Sequence, residues 1–136
     1  MDDLFGSMRV SGAGMRAQGT RLRIISENIA NADSAASSPD AAPYRRKVVT
    51  FRNALDRSLG VETVKVDRVG HDPKGFEKRF DPGHPAADAD GYVSMPNVNS
   101  LIEMMDMREA QRSYEANLSM IRGAREMARE ALDVLR

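Results

Sequence analysis

From residue 104 to the end of the chain, apolar side chains return in alternating steps of three and four. Met104, Met107, Tyr114, Leu118, Ile121, Ala128, Leu132 and Leu135 share one stripe, with Gln111 and Arg125 as polar interruptions. That spacing is a heptad seam and predicts one long helix. Ser100, three positions before Glu103, fits a capping box that starts it, with Asn99 as an alternative cap. No proline and a single glycine, Gly123, follow Ser100. At 1.5 Å per residue such a helix runs roughly 50 Å. Met105, Ala110, Ala124, Met127 and Ala131 flank the seam and widen its apolar face, enough to touch more than one neighbouring helix.

The beginning of the chain carries a weaker version of the same pattern. Met8, Met15, Leu22 and Ile29 recur every seven residues, with Leu4 and Ile25 beside them, which predicts a helix over 4–31. Ser11 and Gln18 sit at the intervening stripe positions, and Gly6, Gly12, Gly14 and Gly19 are scattered through the segment. Each glycine costs roughly 0.5–1 kcal/mol relative to alanine inside a helix. This helix therefore depends on a partner to order it.

Between the helices the periodicity changes. Residues 32–43 are small, polar and broken by Pro39 and Pro43, the composition of a flexible loop. A short strand is expected within 44–51, and a second over 61–69, where alternation is clear only around Val64 and Val66. Residues 71–90 are rich in Asp, Pro, Gly and His and read as turns, with a strand near Phe76–Phe80. Gly91-Tyr92-Val93 is a further extended piece ended by Pro96. The expected fold is mainly α with a small β-containing middle, the long end helices pairing as an antiparallel coiled coil. In domains, 1–31 with 97–136 form the helical part, 32–43 a flexible loop and 44–96 a small turn-rich domain.

Composition sharpens this picture. Nine methionines, four phenylalanines and no tryptophan leave few rigid anchors for a compact core, while methionine packs adaptably against varied surfaces. Twenty basic and twenty acidic residues cancel, so no net field recruits nucleic acid. Three consecutive apolar residues occur nowhere, so membrane insertion is not expected. Met1-Asp2-Asp3 is acidic where a secretory signal would be basic. The absence of cysteine removes disulfides, thiolate nucleophiles and thiolate metal sites together.

Candidate chemistry is thin. His71, Asp72, Asp81, His84, Asp88 and Asp90 fall in one segment, but their spacing is irregular and turn formation explains the same residues. Asp88-Ala89-Asp90-Gly91 resembles part of a calcium loop, yet Ala86 and Asn97 stand where further oxygen ligands are required. Neither a phosphate-cradling glycine loop nor a nucleophile elbow is present. Arg45-Arg46-Lys47 beside Tyr44 is a small basic cluster suited to a solvated turn or to pairing with another subunit. No enzyme activity, cofactor or small-molecule substrate is expected.

Residues 26–34, Ser26-Glu27-Asn28-Ile29-Ala30-Asn31-Ala32-Asp33-Ser34, resemble the N-terminal signature of the flagellar rod and hook proteins. Pro43-Tyr44-Arg45-Arg46-Lys47, Asp81-Pro82-Gly83-His84-Pro85 and Gly91 through Asn99 narrow the resemblance to proximal-rod members. Glu103-Met104 and Arg112-Ser113-Tyr114-Glu115-Ala116-Asn117-Leu118 complete it, covering nearly the whole chain. Ser34 stands where that family usually has threonine.

The resemblance implies a structural subunit of the rod that crosses the periplasm as the flagellar drive shaft, exported by the flagellar type III apparatus. It implies partners too: other rod subunits (FlgB- and FlgF-like), further copies of itself, and proteins of the basal ring and beside the export gate. The residues expected at assembly contacts are Met8, Met15, Leu22 and Ile29 on the first helix. On the second they are Met104, Met107, Tyr114, Leu118, Ile121, Leu132 and Leu135. Asn28, Asn31, Asn97 and Asn99 are expected to cap helix ends and turns.

Overall fold

A computed structural model describes residues 2–135. Two long helices, α1 (Asp2–Ala30) and α2 (Ser100–Val134), flank four strands: β1 (Lys47–Asp56), β2 (Val61–His71), β3 (Glu77–Phe80) and β4 (Tyr92–Met95). The chain is thus mainly helical with a small antiparallel-strand middle. β1 pairs with β2 and β3 with β4, giving two separate two-stranded sheets. Contacts divide the chain into two compact units, and each helix contributes to both.

One unit holds residues 1–22, 50–68 and 108–136. Its strands join through a tight turn in which Gly60, at φ 65°, donates its N–H to the Asp56 carbonyl at 2.8 Å. Within the hairpin, Thr63 donates its hydroxyl to the Ala54 carbonyl at 2.9 Å. The buried positions of α1 here are Gly6, Ser11, Ala13, Gly14 and Ala17, all small. Gly14 faces Asn117 of α2 so closely that an added Cβ would lie 2.8 Å from the amide nitrogen. That amide is held in place by donating to the Ser113 carbonyl at 2.9 Å.

The second unit holds residues 23–49 and 69–107. β3 and β4 run antiparallel, with Glu77 opposite Met95 and Phe80 opposite Tyr92. Phe80 and Tyr92 meet edge to face at 5.3 Å between ring centroids. Gly91 adopts φ 82°, and a Cβ there would come within 3.0 Å of the Phe80 ring and 3.2 Å of Pro82, so both conformation and space require glycine. The inner side of the hairpin contributes Val93 and Met95 to a small core with Ala86 and Ala36. Ala36 thereby anchors the segment 32–43, which contains neither helix nor strand.

Strand length and the role of Glu103 depart from what the sequence suggested, and of the two expected caps of α2 the structure selects Asn99. The first strand, expected to be short and within 44–51, runs for 10 residues to Asp56, and the second, expected over 61–69, continues to His71. Most of their residues are partly or fully exposed, so alternation, which reports burial of one face, marks only a fraction of their length. The start of α2 is capped by Asn99, whose side-chain oxygen accepts from the backbone N–H of Leu101 at 3.1 Å and Ile102 at 3.4 Å. Glu103 is not a capping-box partner but turns inward and is fully buried.

Most consequential is the seam of α2. The fully buried positions step by seven or fourteen, Glu103, Ala110 and Ala124, with half-buried Asn117 in phase between the last two. Met107, Tyr114, Leu118 and Ile121 are only half-buried, and Met104, Leu132 and Leu135 are exposed. The inner line is one of small and polar residues; in the first unit it meets small residues of α1, with Gly14 against Asn117, while in the second unit α1 buries Ile24, Ile25 and Asn28.

Two substitutions separate packing from propensity. A methyl group added at Gly19 would meet nothing within 4 Å, so Gly19→Ala should raise stability by about 0.5–1 kcal/mol through helix propensity. Gly14→Leu should lower it by about 1–3 kcal/mol through overpacking against Asn117. Urea unfolding followed by circular dichroism distinguishes the two; equal effects would contradict the close approach at Gly14.

Candidate assembly interface

The residues that carry the family-like motifs converge in the second unit on a buried polar node. Glu103, 0% exposed, and Asn28, 1% exposed, lie on the two helices and share a hydrogen bond from Asn28 Nδ2 to Glu103 Oε2 at 3.2 Å. Arg46 donates through Nε to the other Glu103 oxygen. Its two remaining nitrogens reach Asp72 Oδ2 at 3.4 Å and Asp106 Oδ2 at 3.7 Å. A carboxylate removed from water must be matched by a cation and hydrogen bonds, and Glu103 has both. Desolvation, the largest single influence on Arg46, would lower its pKa, but the hydrogen bond to Glu103 and the neighbouring carboxylates together outweigh it, and the pKa is raised.

Asn28 does more than bridge the helices, and it is not a cap. Its oxygen accepts from the Lys47 backbone N–H at 2.9 Å and from the Tyr44 hydroxyl at 2.8 Å, while its nitrogen also donates to the Lys47 carbonyl at 2.9 Å. One amide side chain thus occupies both backbone groups of the first residue of β1, as a neighbouring strand would. Nearby, Lys47 Nζ pairs with Glu27 at 2.8 Å, and Arg23 pairs with the same carboxylate at 2.7 Å.

Asn97 fixes the other side of the basic segment. Its oxygen accepts from the Arg46 N–H at 2.7 Å, and its nitrogen donates to the carbonyls of Asp72 at 3.1 Å and Lys74 at 2.9 Å. Arg45 donates to the same two carbonyls and lies 4.3 Å from the centre of the Phe76 ring. The cluster Arg45-Arg46-Lys47 is therefore engaged inside the fold rather than presented to solvent. Asn31 closes the end of α1, donating to the Glu27 carbonyl at 2.8 Å and accepting from Ser34 at 3.1 Å.

What the fold leaves uncovered is apolar. In the second unit Leu101, Met104 and Met105, on one face of the first turns of α2, are 69%, 51% and 64% exposed, with Ile102 beside them. In the first unit Met120, Met127, Leu132, Val134 and Leu135 are exposed along α2, as are Phe5 and Val10 on α1. Of the residues expected at contacts, Met8, Met15, Leu22 and Ile29 on α1 are half-buried. Leu101, Ile102, Met120 and Val134 lie off the heptad seam. Their signal was simple: large apolar residues outside the stripe of alternating three and four steps, left exposed by the fold.

Among the described residues, no three His, Asp or Glu side chains are grouped to hold a metal ion, and no helix is long and apolar enough to cross a membrane. His84 accepts the Ala86 N–H on Nδ1 at 3.0 Å, and Asp88 accepts from the N–H groups of Asp90 and Tyr92, so both organise turns.

The node and its surroundings can be tested by substitution and by acid. Arg46→Ala strands a buried charge and should destabilise the chain by about 3–5 kcal/mol, whereas Arg46→Met combined with Glu103→Leu should cost clearly less. Equal losses in urea unfolding would show that Glu103 is not held by Arg46. The acid test concerns three other carboxylates. The Lys47 hydrogen bond holds Glu27 below its ordinary 4.5. Ser58 does the same for Asp56, and the Tyr92 N–H for Asp88, both below 3.8. With folded values lower than unfolded ones, their stabilising contribution is complete above the ordinary carboxylate range and is lost as pH falls through the lowered values. The urea midpoint should therefore fall between about pH 5 and pH 2, and Asp88→Asn should flatten part of that fall.

Comparison with known proteins converges on one assignment. Residues 8–35 match the family model of the flagella basal body rod protein, and residues 89–134 match that of the flagellar basal body rod FlgEFG protein C-terminal region. A flagellar basal-body rod protein FlgC of Agrobacterium fabrum is 54% identical over 136 residues, covering 100% of this chain and 98% of that protein. Its counterpart in Salmonella typhimurium is 39% identical over 90% of this chain and 91% of that protein. That of Bacillus subtilis is 34% identical over 96% and 97%.

Proposed function

This chain belongs to the FlgC family of flagellar basal-body rod proteins, and from that membership we propose that it builds the proximal rod by packing its terminal helices against neighbouring subunits. The family is structural rather than enzymatic, a component of the bacterial flagellum that associates with other rod components in motility. The reading goes further in naming how: a self- and hetero-assembling element of the periplasm-crossing drive shaft, exported through the flagellar type III apparatus. Its neighbours are further copies, FlgB- and FlgF-like rod subunits and proteins at the basal ring and export gate.

The observation that carries the proposal is the row of uncovered apolar side chains along α2, ending in Leu132 and Val134 with Leu135 just beyond the helix, the last two more than 80% exposed. Fully burying one such side chain contributes about 1.5–3 kcal/mol, so covering several in a neighbour offsets the entropy of docking. The contact residues are Met8, Met15, Leu22, Ile29, Met104, Met107, Tyr114, Leu118, Ile121, Leu132 and Leu135, joined by the exposed residues Met105 and Met127. Within the subunit the helices pair antiparallel. Gly14 beside Asn117, Arg21 with Glu109 at 3.7 Å, and Asn28 with Glu103 support this, since one number rises as the other falls. The division into a helical part (1–31 with 97–136), a connecting loop (32–43) and a smaller strand-containing part (44–96) follows: the helices take the inner packing and the strands lie outside.

The test uses a non-motile strain made by deleting the gene for this subunit from a flagellated bacterium. The full-length chain carrying Met127→Glu, Leu132→Glu and Leu135→Glu should keep the helical content and urea midpoint of the unaltered chain yet fail to restore rods or swimming. Normal swimming with that variant would overturn the assembly reading.

A further inference from the structure

All of the sulfur in this chain is thioether, since it has nine methionines and no cysteine. Methionine is a common target of peroxides, and its oxidation requires that the oxidant reach the sulfur. Exposure divides these methionines sharply. Met104 and Met105 in the second unit are 51% and 64% exposed, and Met120 and Met127 in the first unit are each 57% exposed. Met95 is 9% exposed, packed with Val93, Ala36 and Ala86. Met8, Met15 and Met107 lie between these extremes.

The four exposed sulfurs all belong to α2 and stand among other uncovered apolar side chains. Leu101 and Ile102, both exposed, lie within about one turn of Met104 and Met105. Met120, Met127 and Val134 recur every seven residues and so share one face of the helix.

We propose that Met104, Met105, Met120 and Met127 are oxidation sites through which hydrogen peroxide closes the free subunit to assembly. A sulfur lone pair attacks one peroxide oxygen, so that an S–O bond forms and the O–O bond breaks. The departing hydroxide takes the proton from the oxygen left on sulfur and leaves as water. Sulfur gives up two electrons and peroxide gains them. The product is a polar sulfoxide, whose oxygen needs a hydrogen-bond donor once it is covered. An apolar neighbour offers none, so docking is opposed. Reversal takes a dithiol: the oxygen leaves in water and the two thiols close to a disulfide. The inference rests on the assembly reading and deepens it by naming a modification that regulates the contact.

The test has a chemical arm and a cellular arm. The purified full-length chain is treated briefly with hydrogen peroxide and its peptides are weighed. Met104, Met105, Met120 and Met127 should oxidise about tenfold faster than Met95, with helical content and urea midpoint unchanged. Oxidation of Met95 at a matching rate overturns the proposal, as does loss of helix at the same dose.

In the deletion strain, the chain is produced during a short peroxide exposure, unaltered or carrying Met104→Leu, Met105→Leu, Met120→Leu and Met127→Leu. Leucine keeps the apolar character and approximate volume of methionine without its sulfur. Each culture is compared with its own untreated half, and damage to other components is common to both chains. Peroxide should lower swimming about fivefold more with the unaltered chain than with the leucine chain. An equal fall in both overturns the proposal. A further chain, with Met105→Gln and Met127→Gln, carries fixed polar groups without any oxidant. It should keep its urea midpoint and fail to restore swimming; full swimming with it also overturns the proposal. The assembly reading stands apart from these outcomes, because it falls only if the triple-glutamate variant restores swimming.

Discussion

A buried glutamate governs the second unit. Glu103 is withdrawn from water on α2, and an unpaired carboxylate there would be too costly to keep charged. Arg46 and Asn28 meet it from two other parts of the chain, so three distant segments must arrive together. Because Asn28 also holds both backbone groups of Lys47, β1 begins where α1 permits it. Buried ion pairs are weak evidence for stability, since desolvation consumes most of the Coulomb gain. What the geometry does impose is a condition: an alternative register of the segment entering β1 would leave Glu103 without its cation.

Restraint in side-chain size shapes the helices. In the first unit small residues occupy the inner line, Gly6, Ser11, Ala13, Gly14 and Ala17 on α1 and Ala110 and Ala124 on α2, while methionine and leucine are left exposed along α2; only in the second unit does α1 bury large side chains, Ile24 and Ile25. A monomeric helical protein would do the reverse, placing large apolar side chains inward to maximise buried area. Inner smallness costs the isolated chain hydrophobic stabilisation and leaves the large side chains available to neighbours. Methionine suits that outer position because its unbranched side chain adapts to surfaces of different shape.

The helices were legible because periodicity reports amphipathicity, whichever side of the helix is buried. For the same reason it misplaced the seam of α2: the stripe through Met107, Tyr114 and Leu118 is apolar, but the residues fully inside are Glu103, Ala110 and Ala124. A hydrophobic stripe and a buried stripe coincide only when the protein folds alone. Strands β1 and β2 were visible as elements but not in extent, since most of their length faces solvent on both sides. The polar node was out of reach of periodicity altogether. Glu103 entered as a capping-box partner, Arg46 in a basic cluster, and Asn28 and Asn97 as caps and motif members, and nothing local reveals that they meet across as many as 75 positions.

The motifs and the apolar faces therefore do different jobs. Residues that distinguish the family by sequence, Asn28, Tyr44, Arg46 and Asn97, direct their hydrogen bonds within the chain. In the proposed assembly, contacts with neighbours fall to methionines and leucines whose chemistry is generic and whose exchange for one another costs little. An assembling subunit gains from this arrangement. Generic apolar contacts bind but do not set direction, so the direction must come from the shape that presents them. A polar node satisfied in only one arrangement supplies that shape for the second unit, and thereby fixes where Leu101, Met104 and Met105 point before any neighbour arrives.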